Sequence, residues 1–175
     1  GGQLFFQKHV DTLRIPGVNE LDPAFLPGNP PMLEIATATA LVHAAQLNVI
    51  EFHTWNATVK SIENPDRLLF DLDPGEGVQW LHVVEGTMLA KAFLDELKLK
   101  CFLKTSGGKG LHIVVPLSPV ANWDEVKDFS EAIVVHLART VPQRFVAKSG
   151  PKNRIGKIFI DYLRNTRGAT TAAAF

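Results

Sequence analysis

Asp71 and Asp73 close an apolar run, Arg67-Leu68-Leu69-Phe70-Asp71-Leu72-Asp73, just before Pro74-Gly75. In a strand, residues i and i+2 point to the same face, so these two carboxylates project side by side. Like charges that close repel unless a cation neutralises them. Hard oxygen ligands of this kind suit Mg²⁺ or Mn²⁺. The same spacing also fits an ordinary polar strand end, because Pro74 stops a ladder and Gly75 permits a turn.

Asp161 is out of place in Lys157-Ile158-Phe159-Ile160-Asp161-Tyr162-Leu163, another apolar run. It can pair with Arg164 or a nearby lysine. Alternatively it brings a third carboxylate from a second strand. Asp71, Asp73 and Asp161 together would form a two-metal site, which clamps the attacking and leaving oxygens of a phosphoryl transfer.

The segment Thr105-Ser106-Gly107-Gly108-Lys109-Gly110 is the third candidate. Its glycines let backbone N–H groups approach an anion, and Lys109 adds a point charge. It lacks the Walker A spacing, and a strand follows where a helix should. A plain glycine-rich hairpin turn has the same composition. His112 follows on the returning strand, where a histidine is either structural or a donor to a phosphate oxygen. Carboxylates for metals, a Gly-Lys loop for a triphosphate and a basic segment for a nucleic-acid backbone are the parts of a nucleotidyl transferase.

That basic segment is hidden in a net charge of zero. Residues 1–99 hold 6 Lys/Arg against 13 Asp/Glu, and residues 100–175 hold 12 against 5. From Arg139 to Arg167 there are eight basic residues and one acid, Asp161. The stretch is either a solvated face or a track for phosphates.

The 175 residues favour one domain spanning 1–175, and 46% hydrophobic with 21% charged residues excludes bulk disorder. No apolar run reaches the roughly 20 residues that span a bilayer, and no signal peptide opens the chain. One cysteine, Cys101, makes neither an internal disulfide nor a zinc-finger spacing. The default compartment is the reducing cytoplasm. Both ends read as cut: Gly1-Gly2-Gln3 enters an apolar run at once, and Ala172-Ala173-Ala174-Phe175 reads as a strand beginning.

The elements that must position these residues follow from pattern. Leu4–Lys8, Val49–His53, Arg67–Asp73, Lys100–Thr105, Leu111–Leu117 and Lys157–Leu163 are expected strands. Residues 14–31 are proline-rich and irregular, and 56–66 form a loop. Ala36–Asn48 is an expected helix, with Thr37 or Thr39 as cap and Leu41, Ala44, Ala45 and Leu47 on its apolar face. Val78–Lys98 is a long amphipathic helix, with Leu81, Val84, Met88, Phe93, Leu94 and Leu97 inward. A helix from Asn122 to about Arg139 starts with a capping-box spacing to Glu125. A hairpin over 100–117 between two helices breaks strict βαβ alternation, so the class is α+β with a largely antiparallel or mixed sheet.

Three segments carry a family resemblance: Phe70-Asp71-Leu72-Asp73-Pro74-Gly75-Glu76-Gly77, Lys104-Thr105-Ser106-Gly107-Gly108-Lys109-Gly110-Leu111-His112, and Phe159-Ile160-Asp161-Tyr162-Leu163-Arg164-Asn165. In order and spacing they resemble the polymerase domain of bacterial end-joining DNA ligase D, of the archaeo-eukaryotic primase superfamily. Phe5-Phe6-Gln7-Lys8-His9 and Glu51-Phe52-His53 are similar to further family segments. The resemblance implies a primase/polymerase-like mixed β-sheet core flanked by helices. It implies that Asp71, Asp73 and Asp161 bind catalytic Mn²⁺ or Mg²⁺. It implies that Ser106, Gly107, Gly108, Lys109 and His112 meet the nucleotide's phosphates, with His53 nearby. Phe5 and Phe6 would pack against DNA, Lys8 would contact a DNA phosphate, and Arg164 would follow the third carboxylate on the DNA side.

The implied activity is template-directed addition of NTPs or dNTPs to DNA ends in non-homologous end joining. The implied partners are DNA ends, nucleoside triphosphates, Ku and an ATP-dependent ligase module, with no membrane; the implied place is the bacterial cytoplasm, at the nucleoid when DNA-bound. The family domain is longer at both ends, and an arginine that follows Asn165–Thr170 in the family lies past this chain's end. The competing readings are a non-catalytic DNA-end or nucleotide-binding module and a metal-dependent nuclease. The Ser106–His112 segment argues against the nuclease, which has no use for a triphosphate loop.

Overall fold

The computed structural model describes residues 15–29 and 31–174. The expected strand at Leu4–Lys8, and with it Phe5, Phe6 and Lys8, lies outside the described residues. The chain divides into two compact units, one ending at Phe52 and one beginning at His53.

In the first unit, β1 (Asn19–Glu20) pairs antiparallel with β2 (Leu33–Glu34), so the proline-rich stretch is less irregular than its composition implies. Between them a 3-10 turn, Pro23–Phe25, starts on Asp22, whose carboxylate accepts from the Ala24 N–H at 2.8 Å. Helix α1 (Ala38–Gln46) is capped by Thr37, whose Oγ1 accepts from the Ala40 N–H at 3.1 Å. Its buried residues are Ala40 and Ala44, whereas Leu41 and Leu47 are exposed. Gly17 lies against Ala40 with φ +80°, a left-handed backbone conformation that favours glycine.

The second unit is built on a five-stranded sheet. Its first strand, β3 (His53–Thr54), belongs instead to a two-stranded ribbon with β9 (Thr171–Ala172). The expected strand over Val49–His53 is thus confined to its end, because β9 offers only two residues to pair with. The sheet proper comprises β4 (Arg67–Pro74), β5 (Phe102–Thr105), β6 (Leu111–Pro116), β7 (Phe145–Val146) and β8 (Ile158–Asp161). Their order is β5-β6-β4-β8-β7, antiparallel except for the parallel β7–β8 pair. This is the mixed sheet of an α+β domain. The two-residue β7 carries too little pattern to be seen in the sequence.

Helices α2 (Trp80–Glu96) and α3 (Trp123–Thr140) supply the cover. Leu68, Phe70 and Leu72 of β4, Ile113 and Val115 of β6, and Ile158 and Ile160 of β8 form one core with Ala90, Leu94, Val126, Ile133, Val134 and Leu137. Each fully buried aliphatic or aromatic side chain there stabilises the fold by about 1.5–3 kcal/mol. The α3 start is as the sequence predicts: the Glu125 N–H donates to Asn122 Oδ1 at 3.0 Å, and the Asn122 N–H donates to Glu125 Oε2 at 2.8 Å.

The inward face of α2 corrects the sequence reading. Val83, Gly86, Thr87, Ala90 and Leu94 are buried, while Leu81, Val84, Met88 and Leu97 are exposed. Close approach decides this. A Cβ on Gly86 would stand 2.7 Å from Ile158 Cδ1, so the first half of the helix sits on small residues, while Phe93 and Leu94 pack into the core as the sequence predicts. Among the described residues no helix is long and apolar enough to cross a membrane.

Candidate active site

The alternation of β4 separates two faces. Leu68, Phe70 and Leu72 enter the helix-covered core, so Leu69, Asp71 and Asp73 face the other way. Register then extends that second face across the sheet. Lys104 of β5 pairs with His112 of β6, His112 with Asp71 of β4, and Asp71 with Asp161 of β8. Four strands thus set a cation, an imidazole and two carboxylates in one row, with Asp73 one pleat further along β4.

The three carboxylates converge: Asp71, Asp73 and Asp161 each offer an oxygen, and those oxygens lie within 4.8 Å of one another. Asp71 and Asp161 are each only 8% exposed. Two arginines offset the concentrated charge, and His112 borders it. Arg164 Nε lies 3.2 Å from Asp161 Oδ2 and 3.7 Å from Asp71 Oδ2. Arg154 Nη1 lies 3.0 Å from Asp73 Oδ2. His112 Nε2 lies 3.4 Å from Asp71 Oδ1. Burial pushes the Asp161 carboxyl above its ordinary value. A hydrogen bond from the Leu163 N–H at 2.9 Å and the Arg164 charge oppose the rise, and Asp71 and Asp73 add to it. The all-oxygen donor set fits a hard divalent cation such as Mg²⁺ or Mn²⁺.

The β5–β6 loop lies beside this row. Ser106 Oγ donates to the Gly110 carbonyl at 3.2 Å and accepts from the Gly108 N–H at 3.4 Å, so Ser106 closes its own loop. Gly107 has φ +78°, and Lys109 is exposed at the tip. Gly110 is required by packing: a Cβ there would fall 2.2 Å from the Leu72 carbonyl oxygen. His112 is buried, and its Nδ1 has no hydrogen-bond partner among the described residues. Buried nitrogens without partners are uncommon and point to a missing ligand or water.

His53 is exposed on the β3–β9 ribbon, opposite Ala172. The Lys104 ammonium donates to the Ala172 carbonyl, which ties the ribbon to β5. Of the eight basic residues between Arg139 and Arg167, four are engaged with acids. Arg144 meets Glu85 at 2.8 Å, Arg154 meets Asp73, Arg164 meets Asp71 and Asp161, and Arg167 meets Glu63 at 2.7 Å. The segment is therefore partly internal scaffold and not wholly a free phosphate track. Arg139, Lys148 and Lys152 remain exposed.

Arg154 and Asn56 belong to this region although no sequence pattern marks them, and so does Asn165, which ends the third family-like segment without a role of its own there. Arg154 reaches Asp73 because the 150–157 loop folds onto the β4 turn. The Gly75 N–H donates to the Lys157 carbonyl at 2.9 Å, and the Gly156 N–H donates to the Glu76 carbonyl at 2.8 Å. No sequence spacing encodes that contact. A buried asparagine gives no sequence signal either, since the residue is usually exposed in turns.

The LigD primase-polymerase domain model matches residues 1–175. The chain is 59% identical to the multifunctional non-homologous end joining protein LigD of Pseudomonas aeruginosa over 175 residues, all of this chain and 21% of that protein. It is 33% identical over 122 residues to the bifunctional non-homologous end joining protein LigD of Bacillus subtilis, which is 69% of this chain and 20% of that protein. The chain thus spans about a fifth of the length of these curated relatives. Among solved structures, the polymerase domain from Mycobacterium tuberculosis ligase D in complex with DNA superposes with a TM-score of 0.84 at 29% identity. That match covers 97% of this chain and 62% of the solved one.

Proposed function

The chain belongs to the LigD primase-polymerase domain family, and from that placement we propose that it extends DNA ends by template-directed, two-metal nucleotidyl transfer. Domains of this family are enzymes of the nucleotidyltransferase type and occur in non-homologous end joining proteins. The observation that carries the reading is the cluster of Asp71, Asp73 and Asp161 on one sheet face. These residues would hold Mg²⁺ or Mn²⁺. Bound there, the ions supply Lewis-acid charge to the attacking and leaving oxygens.

The chain's own groups do the rest. Backbone N–H groups of 106–110 and the Lys109 ammonium grip the triphosphate. His112 presents its partnerless Nδ1 to a phosphate oxygen or a bridging water, and His53 flanks the nucleotide. Arg164 holds Asp71 and Asp161 in place and balances their charge. In the reaction the primer's terminal hydroxyl oxygen bonds to the α-phosphorus and gives up its proton to water, the α–β phosphoanhydride breaks, and pyrophosphate leaves. Phe5, Phe6, Lys8 and the exposed basic side chains contact the DNA. DNA ends and nucleoside triphosphates are the substrates, with Ku and an ATP-dependent ligase module as partners in the bacterial cytoplasm.

The test is primer extension on a recessed duplex with Mn²⁺ or Mg²⁺. Asp71→Asn and Asp161→Asn should each abolish extension and leave DNA binding largely intact, because binding rests on phosphate contacts. Wild-type extension rates in both variants would remove the carboxylates from the mechanism.

A further inference from the structure

Asn165 is fully buried, one residue after Arg164. Its side chain behaves as a short piece of β-strand. Oδ1 accepts from the Leu69 N–H at 2.8 Å, and Nδ2 donates to the Leu69 carbonyl at 2.8 Å and to the Tyr162 carbonyl at 3.0 Å. Leu69 stands two residues before Asp71 on the same face of β4. One amide therefore ties the strand that carries the acidic pair to the turn that carries Arg164.

A second buried amide continues the connection. Asn56 Nδ2 donates to the Arg164 carbonyl at 3.2 Å and to Asn165 Oδ1 at 3.4 Å. Asn56 Oδ1 in turn accepts from the Thr171 hydroxyl at 3.4 Å. Thr171 is on β9, beside Ala172, and Ala172 is the register partner of His53. Asn56, Asn165 and Thr171 are all at most 7% exposed. Burying such groups is costly unless they are hydrogen-bonded, and a satisfied network fixes a single arrangement of the segments it joins.

We infer that Asn165 and Asn56 are positioning residues, a buried amide brace that holds the Arg164 backbone and the His53 ribbon in register with the acidic strand. The inference rests on the proposed polymerase function for its kinetic consequence, and on the hydrogen bonds alone for its structural one. Neither amide contacts the carboxylates directly. The brace acts through Arg164, whose guanidinium reaches Asp71 and Asp161.

Asn165→Ala strands both backbone groups of Leu69 and risks unfolding, so the test uses Asn56→Ala, Thr171→Val and the conservative Thr171→Ser. The first readout is the Arg164 Nε–H signal in NMR, identified by its loss in Arg164→Lys. It should be distinct in the wild type and in Thr171→Ser, and shifted toward the averaged position of mobile arginines in Asn56→Ala. The second is steady-state extension. Asn56→Ala should lower kcat by roughly tenfold or more, since small misplacements near reacting groups are costly. Combined with Arg164→Ala it should add little further loss, as expected for residues acting through one group. Val134→Ala, a core substitution in α3, should multiply with Arg164→Ala instead. An Arg164 signal unchanged in Asn56→Ala, with multiplicative losses in the cycle, overturns the brace. A wild type that extends no primer, with the Arg164 signal still averaged in Asn56→Ala, overturns the polymerase reading and leaves the brace standing.

Discussion

Asp71 and Asp161 are direct cross-strand partners on neighbouring antiparallel strands, two carboxylates facing the same side at one register position. Like charges placed so are destabilising, by about 0.2–1 kcal/mol in ordinary sheets. The fold tolerates the pair because Arg164 reaches both oxygens and because the Leu163 N–H caps Asp161. A site kept at the expense of stability is expected where charge is needed for chemistry.

Asp161→Asn keeps the acceptor for Leu163 and removes one of the opposed charges. The metal-free variant should therefore be as stable as wild type or more stable, by up to about 1 kcal/mol. It should also lose measurable Mn²⁺ binding. Urea denaturation in a chelator, paired with a Mn²⁺ titration, checks both halves. A destabilised variant that still binds Mn²⁺ would contradict the assignment.

The direction of the Asp161 shift gives a pH dependence. Burial raises its carboxyl above the ordinary 3.8. In the folded state the group then binds a proton more tightly than in the unfolded chain. Stability from this group is therefore greatest below the ordinary value and falls as pH rises through the raised one. Mn²⁺ binding runs the opposite way, because only the ionised carboxylate is a ligand. The difference in urea midpoint between wild type and Asp161→Asn, followed from pH 3.5 upward, should grow against the wild type without metal and shrink when Mn²⁺ is added.

Much of this centre is legible in the amino-acid sequence alone. The pleat period places Asp71 beside Asp73, and an acid amid Ile158-Phe159-Ile160 marks Asp161. The capping box of Asn122 and Glu125 is local chemistry and is realised as such. What is not legible depends on contacts distant in sequence. Gly86 against Ile158 selects the buried stripe of α2, and Arg154 reaches Asp73 through a folded-back loop. Asn56 and Asn165 are 109 positions apart. A single sequence carries no period or spacing for such pairings.

The two loop glycines separate packing from ligand binding. Gly110→Ala drives a methyl group into the Leu72 carbonyl, so the β4–β6 ladder must shift. Overpacking of this kind costs about 1–3 kcal/mol, and the denaturation midpoint should fall accordingly. At Gly108 the nearest atom to a Cβ is Ser106 Oγ at 3.7 Å, an ordinary contact, so Gly108→Ala should fold like wild type. Equal midpoints for the two variants would remove the packing argument.

Lys109 tests the triphosphate role of the same loop. A charge-assisted hydrogen bond to phosphate is worth about 1.5–3 kcal/mol, so Lys109→Ala should weaken ATP or GTP binding in Mn²⁺ by roughly tenfold or more. Cys101→Ala should do far less. Burial pushes the Cys101 thiol up, which keeps it protonated, and no step here calls for a thiolate. Calorimetric titration of both variants decides it, and equal affinities for wild type and Lys109→Ala would detach the loop from nucleotide binding.

The basic segment sets the salt dependence of DNA binding. Eight cations free to meet phosphates would give a log–log slope near −7 on duplex DNA, at about −0.9 per contact. Arg144, Arg154, Arg164 and Arg167 already face carboxylates, and each must release one before it can serve a phosphate. The segment's contribution should therefore be no steeper than roughly −4. Lys148 and Lys152 are exposed, so replacing both with Ala should reduce the slope magnitude by about 2 at most. Affinity measured by fluorescence anisotropy across a salt series gives these slopes directly. An unchanged slope in the double variant would assign the two lysines to the solvated surface and move the DNA track elsewhere on the domain.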